Sequence, residues 1–154
     1  MTTALHRSVA VEVCNALARN CPDDLLVSLD VTISAGPRRH VPAVAVLKAE
    51  AATASPVPAL DVVLVAELAS SSFRVAQVYE RAQLYAAAAV PTFWIVDPMR
   101  KHVTFTEFLL GDDGDYRCGI ETDGTLRFDR PWEVTLDLRA WTERRDQVRA
   151  RERE

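Results

Sequence analysis

From Asp61 to Ala69 the chain is apolar at almost every position, and Thr92 to Asp97 repeats the pattern. Continuous apolar runs of this length predict strands covered on both faces of a sheet. Between them Val75, Val78, Tyr79, Ala82, Tyr85, Ala86 and Ala89 recur at spacings of three and four. That period predicts a helix from about Phe73 to Ala89 with one apolar stripe. Ser70, Ser71 and Ser72 precede it, and any of the three can cap it. Pro91 is expected to stop it. One residue breaks the first apolar run. Glu67 lies near the carboxyl end of its strand, where open α/β sheets place their sites. Arg74, Gln77 and Arg81 follow one another at about one turn along the edge of the helix stripe. A helix packed on the sheet with that edge near Glu67 builds a polar pocket there.

Weaker patterns fill the rest of the chain. Thr3 to Asn20 reads as an amphipathic helix with Leu5, Val9, Val13, Leu17 and Ala18 on one face. Leu25 to Ser34 alternates and reads as one half-buried strand. A loop with Arg38, Arg39 and His40 leads to a short strand, Val41 to Leu47, and then to a loop from Lys48 to Leu60. His102–Leu110, Tyr116–Thr122, Leu126–Phe128 and Trp132–Leu136 read as strands. Asp123-Gly124 is a strong hairpin turn signal between two of them. Leu138 to Glu154 reads as a charged helix. One crossover helix is too few for a purely parallel, doubly wound fold. The expectation is a mixed α/β (α+β) layout: a central mixed sheet flanked by helices, with a β-meander toward the C-terminus. No linker or repeat divides it, and 154 residues fit one domain over 1–154.

Composition narrows the functional classes. At 49% hydrophobic and 26% charged the chain is ordinary globular material. A net charge of −4 and a pI near 5.4 argue against a nucleic-acid coat protein, but not against an enzyme with a local basic cleft. Cys14, Cys21 and Cys118 have no metal-ligand spacing. An odd cysteine count without a signal-peptide pattern implies reduced thiols in a cytoplasm, and the three read as small buried hydrophobes. No apolar run approaches the roughly 20 residues of a membrane helix. His6, His40 and His102 form no ligand pair and read as surface or capped histidines. Asp112, Asp113 and Asp115 read as a hairpin loop rather than a calcium site. Arg144, Arg145, Arg149, Arg151 and Arg153 alternate with Glu143, Asp146, Glu152 and Glu154, the pattern of a solvated helix. The serines after Glu67 lack a nucleophile elbow, which favours capping. No small-molecule cofactor motif is present.

The Glu67 stretch carries a family resemblance. LVAELASSS…RAQLYAAAAVPTFWIVDP resembles the signature of the Uma-two-type "putative restriction endonuclease" family, a branch of the PD-(D/E)xK nuclease superfamily. Glu67, Ser70, Tyr85, Val90-Pro91, Trp94 and Asp97-Pro98 fall on its motif. Upstream, LHRSVAVEVCNALARNCPDDLLVSLDVTIS resembles the family's helix, begun by a His at His6, and its first strand. RRHVPAVAVL resembles the strand that normally bears Pro-Asp. The likeness runs from about Leu5 to Leu110 and is specific as a combination.

The resemblance implies a restriction-endonuclease-like fold and Mg²⁺-dependent hydrolysis of DNA phosphodiesters. Such chemistry uses divalent metal held by hard oxygen ligands. Glu67 is the implied metal ligand, with Gln77 and Arg81 at the family's helix Asp and Lys positions. DNA and a second copy of the chain are the implied partners. The resemblance also implies that the family's N-terminal segment is missing. Three site positions depart from the family pattern. Pro-Asp reads Pro42-Ala43, the helix Asp reads Gln77 and the Lys reads Arg81, so Glu67 alone is unchanged. An alanine offers no oxygen to a metal, and an arginine does not serve as a base. The expectation is impaired or lost catalysis, with Glu67 ion-paired to Arg81 or Arg74. Asp61 and Glu50 are candidate substitute carboxylates. The alternative is a non-catalytic nucleic-acid-binding or assembly module, pairing with an active homologue.

Overall fold

The long apolar stretches form the centre of the molecule. The computed structural model describes residues 3–70 and 74–154. Its elements are α1 (Ala4–Ala18), β1 (Leu25–Leu29), β2 (Ile33–Ala35), β3 (Arg38–His40), β4 (Val44–Lys48), β5 (Val57–Pro58), β6 (Val62–Leu68), α2 (Val75–Ala87), β7 (Thr92–Asp97), β8 (Thr104–Leu110), β9 (Tyr116–Thr122), β10 (Thr125–Phe128), β11 (Val134–Asp137) and α3 (Leu138–Glu152). Six strands make the main sheet in the order β1-β4-β6-β7-β8-β9. β6 and β7 are parallel, and α2 supplies the crossover a parallel pair requires. The other neighbours are antiparallel. Two small sheets accompany it, β3-β2-β5 and the β10–β11 pair. This is the expected mixed α/β layout.

Alternation along β6 and β7 sends side chains to both faces of the sheet. Leu64, Ala66, Leu68, Trp94 and Val96 pack against Val9, Val13 and Leu17 of α1 and Leu138 of α3. Val65, Phe93 and Ile95 pack against Val78, Ala82 and Tyr85 of α2, with Ile33 and Val57 of the small sheet. Burial on both faces is why these strands read as unbroken apolar runs.

Several boundaries differ from the sequence reading for local reasons. The expected helix start at Phe73, the caps at Ser71 and Ser72 and the side chain of Val75 lie outside the described residues. The observed α2 starts behind Arg74, whose backbone N–H donates to Gln77 Oε1 at 2.9 Å. It ends before Pro91. Ala89 takes a left-handed φ of 62°. The N–H of Val90 then donates to the carbonyl of Tyr85 and that of Ala89 to the carbonyl of Ala86. This double cap closes the helix without the proline. Tyr79, expected on the buried stripe, is 47% exposed. The single strand expected over Leu25–Ser34 breaks at Asp30, whose φ is 54°. β1 stays in the main sheet, whereas β2 pairs with β3 and β5. Arg38–His40, read as loop, is therefore a strand. The loop read over Lys48–Leu60 holds β5 between short 3₁₀ turns.

The charged C-terminal helix is not wholly solvated. Arg145 is only 2% exposed. Its guanidinium donates to the carbonyls of Pro98, Arg100 and Lys101 at 2.8, 2.6 and 2.6 Å. Thr142 Oγ1 accepts from the Val103 N–H at 2.9 Å. α3 thereby grips the turn that leaves β7, and the carbonyls supply the acceptors a buried guanidinium needs. Of the cysteines read as buried, Cys118 is exposed on β9, while Cys14 and Cys21 are half-buried.

A second buried charge lies on β8. Glu107 on β8 is fully buried, and Arg130 holds both of its oxygens, through Nε at 3.1 and 3.0 Å and Nη2 at 2.7 Å. The β8–β9 register shifts at this point. A Cβ added to Gly119 would lie 2.3 Å from Glu107 Oε1. Gly119→Ala must therefore displace a held carboxylate, and should lower stability by about 1–3 kcal/mol, read from the urea midpoint. Ala89→Gly should do the reverse, raising stability by up to about 1 kcal/mol, because glycine adopts the left-handed cap without a Cβ penalty.

Candidate functional site

Strand alternation turns Glu67 toward the face that carries α2, and there Arg81 meets it. Arg81 Nη1 donates to Glu67 Oε2 at 2.8 Å. Glu67 is 3% exposed, and its other oxygen, Oε1, has no hydrogen-bond partner among the described residues. β4 runs beside β6 with Val44 opposite Ala66. Ala43 therefore adjoins Glu67 at the strand end. A pocket of about 250 Å³ opens over this carboxylate. Its walls are Ala10 and Val11 of α1 with Leu29, Val41, Pro42 and Ala43; its polar rim is His6, Arg7, Asp30, Ser70 and Arg81. Arg7 and Asp30 are themselves paired at 2.5 Å.

Burial raises the Glu67 carboxyl from about 4.5 to about 7. The Arg81 charge and hydrogen bond oppose the rise, as does the backbone N–H of Ala43. His6 is lowered, first by burial, with Asp97 pulling the other way. Tyr85, one turn beyond Arg81, is raised by burial and then by the Glu67 charge; its hydroxyl and His40 Nε2 are also buried without partners among the described residues.

The sequence-derived candidates divide. Glu67 and Arg81 meet. Gln77 is exposed, caps α2 through Arg74 and does not line the pocket. Arg74 is exposed at the helix start. Asp61 precedes β6 and lies within 3.8 Å of Lys48. Six residues of extended strand, roughly 20 Å, separate it from Glu67. Glu50 follows Lys48 at the same far end. Neither replaces a carboxylate at position 43. Asp30 is the carboxylate that the sequence reading missed, since an alternating strand gave no sign that its backbone turns there. His6, read from its spacing as a surface or capped histidine and from the resemblance as the His that begins the first helix, is half-buried on the pocket rim. A larger cleft of about 900 Å³ adjoins between α1 and α3, and His6 and Ser70 line both. In that cleft Arg145 is committed to the β7 turn and Asp137 to capping α3 through Ala140 N–H. Among the described residues no three His, Cys, Asp or Glu side chains come together as a metal-holding group. No helix among them is long and apolar enough to cross a membrane.

A family model described as "Uma2: Putative restriction endonuclease" matches residues 1–144. Among solved structures, a "putative nuclease belonging to DUF820" from Anabaena variabilis superposes with a TM-score of 0.68 at 14% identity. The superposition covers 92% of this chain and 84% of that one. At that identity the likeness speaks for the fold. No curated protein matches.

The raised Glu67 carboxyl has a pH consequence. The native state holds a proton there that the unfolded chain releases above about pH 4.5. This contribution to stability is full below pH 4.5 and is lost as pH rises through about 7, with a slope approaching about 1.4 kcal/mol per pH unit. Urea titrations across that window should give this slope as the difference between wild type and Glu67→Gln, which also cancels the opposite contribution of His6.

Proposed function

The chain belongs to the Uma2 family of putative restriction endonucleases, and from that membership we propose a nuclease-like protein whose hydrolytic site is impaired. The observation that carries this reading is the company Glu67 keeps. Hydrolysis in this family would draw on a divalent metal, and Mg²⁺ takes several hard oxygen ligands. The carboxylates of this pocket do not meet that demand. Glu67 gives one oxygen to Arg81, Ala43 gives none, and Asp30 is held by Arg7. An arginine beside the carboxylate also occupies, with a fixed positive charge, the region a cation would enter. The residues present therefore fit an ion-paired site better than a Mg²⁺ site, and no hydrolytic step is assigned to them.

Retained nucleic-acid contact is the function this arrangement supports, in a site where the cleavage chemistry has decayed. Gln77 has no role in the reading, because its side chain serves the helix cap. Association into a homodimer, expected from the family, and a cytoplasmic location, expected from the cysteine count, accompany the proposal.

The test is a plasmid-cleavage assay in Mg²⁺ and in Mn²⁺ beside a DNA-binding titration against salt. Wild type and Glu67→Ala should cut equally little. Binding should weaken with salt along a steep negative slope of log affinity on log concentration. The double variant Ala43→Asp with Arg81→Lys should gain Mn²⁺ binding by calorimetry. Metal-dependent cleavage by wild type that vanishes in Glu67→Ala would sink the reading.

A further inference from the structure

The β2–β3 hairpin concentrates positive charge in a chain that is negative overall. Arg38 and Arg39 are the only formally charged residues on the strands of the sheet β3-β2-β5, and no Asp or Glu occurs from position 31 to 49. The carboxylate before that stretch, Asp30, is paired with Arg7. Residues 36–39 are all exposed. Gly36 turns the hairpin at a φ of 62°, and the space where its Cβ would lie is open. Across the hairpin Arg38 and Arg39 stand opposite Ala35 and Ser34, which are too short to crowd or neutralise them. The exposed arginines Arg7, Arg117 and Arg127 each have a carboxylate partner. Arg38 and Arg39 have none among the described residues. The arginines of α3, by contrast, are interleaved with Glu143, Asp146 and Glu152.

The hairpin adjoins the candidate site. Val41, Pro42 and Ala43, which wall the pocket, follow β3 directly. At most about 7 Å of chain separates Arg39 from Val41. The His40 ring lies edge-on to Tyr85, 5.8 Å between centroids. After burial, the charges of Arg81 and Arg38 both lower the His40 pKa. One imidazole thus lies within electrostatic reach of both the hairpin and the Glu67–Arg81 pair.

We propose that the β2–β3 hairpin docks tip-first in the major groove of duplex DNA, with Arg38 on the phosphate backbone of one wall and Arg39 on that of the other. Neighbouring residues of a strand point to opposite faces, so the two arginines flank the ribbon. A single strand offers one backbone, along one face. A duplex groove offers two, and the major groove, about 12 Å wide, admits a two-stranded ribbon. Phosphate contacts fix a protein's position on the duplex without reading its sequence. The hairpin therefore sets where the backbone lies relative to the Glu67 pocket. The inference rests on the nucleic-acid reading above and names the element that makes the contact.

Binding of a short DNA duplex and of one of its strands, followed by fluorescence anisotropy against salt in EDTA, tests it without metal or cleavage. Arg38→Ala and Arg39→Ala should each flatten the duplex slope of log affinity on log salt by about 0.9, and the double variant by about 1.8, one phosphate contact apiece. Arg38→Lys and Arg39→Lys should keep the slope, because a phosphate accepts either cation. On the single strand the two losses should not add. Arg151→Ala, which removes an exposed charge from α3, should leave the duplex slope unchanged. All of these side chains are exposed, so the urea midpoints should match wild type. An unchanged slope in both alanine variants of a wild type that binds DNA would overturn the hairpin proposal and leave the nucleic-acid reading standing. Losses that add equally on the single strand, or an equal loss from Arg151→Ala, would also overturn it. A wild type that binds neither duplex nor strand at low salt would overturn both. A nuclease-competent wild type would overturn the impaired-site reading alone and leave these titrations unaffected.

Discussion

Pairing β6 with β7 in parallel obliges the chain to leave the sheet and return on the same side. A tight turn cannot close such a pair, so a helix must cross between them. That helix has to cover Val65, Phe93 and Ile95, and its buried stripe is fixed by them. Once Val78, Ala82 and Tyr85 face the sheet, Arg81 is carried to the carboxyl end of β6. The Glu67–Arg81 contact at 2.8 Å is thus a consequence of strand direction as much as of charge. The other face of the same strands belongs to α1, whose first turn brings His6 and Arg7 to the mouth of the pocket. Two helices on opposite faces of one parallel pair therefore both line the pocket at its carboxyl end.

Three of the charged side chains buried among the described residues, Arg145, Glu107 and Glu67, differ in how completely the charge is answered. Arg145 is surrounded by three backbone carbonyls and a carboxylate. Both oxygens of Glu107 are taken by Arg130. These two are closed arrangements that join distant parts of the chain. Among the described residues Glu67 Oε2 meets Arg81, whereas Oε1 has no hydrogen-bond partner. An unanswered acceptor away from water costs free energy of the order of a lost hydrogen bond, about 1–3 kcal/mol. Arg145 too lines a cleft, but its guanidinium is already taken by the turn that leaves β7. Incomplete pairing, more than burial itself, separates the candidate site from the structural ion pairs.

Much of this was legible in the chain. β7 and β9 have the predicted limits, and α1 lies within the predicted span. Strand-end placement and helix spacing narrowed the partner of Glu67 to Arg81 or Arg74, and the structure brings Arg81 there. The misses share a cause. Asp30 and Ala89 depart through a left-handed backbone, which an apolar–polar pattern does not encode. Alternation on either side of Asp30 is uninterrupted, so one strand was read where two diverge. Arg145 looked solvated because its partners, Pro98 to Lys101, lie 44 to 47 positions away. Gln77 was drawn into the site by helical spacing, yet a free backbone N–H at the helix start claimed its side chain first.

Glu107, Gly119 and Arg130 share one small volume, with the glycine leaving space that the carboxylate fills. Their histories are accordingly not independent. A lineage that first shortens residue 107 releases position 119 to accept a side chain, and frees Arg130 from its partner. A lineage that first gains a side chain at 119 must pass through a less stable ancestor. The order in which mutations arrive is therefore constrained by geometry, and the three positions should covary across relatives as a unit.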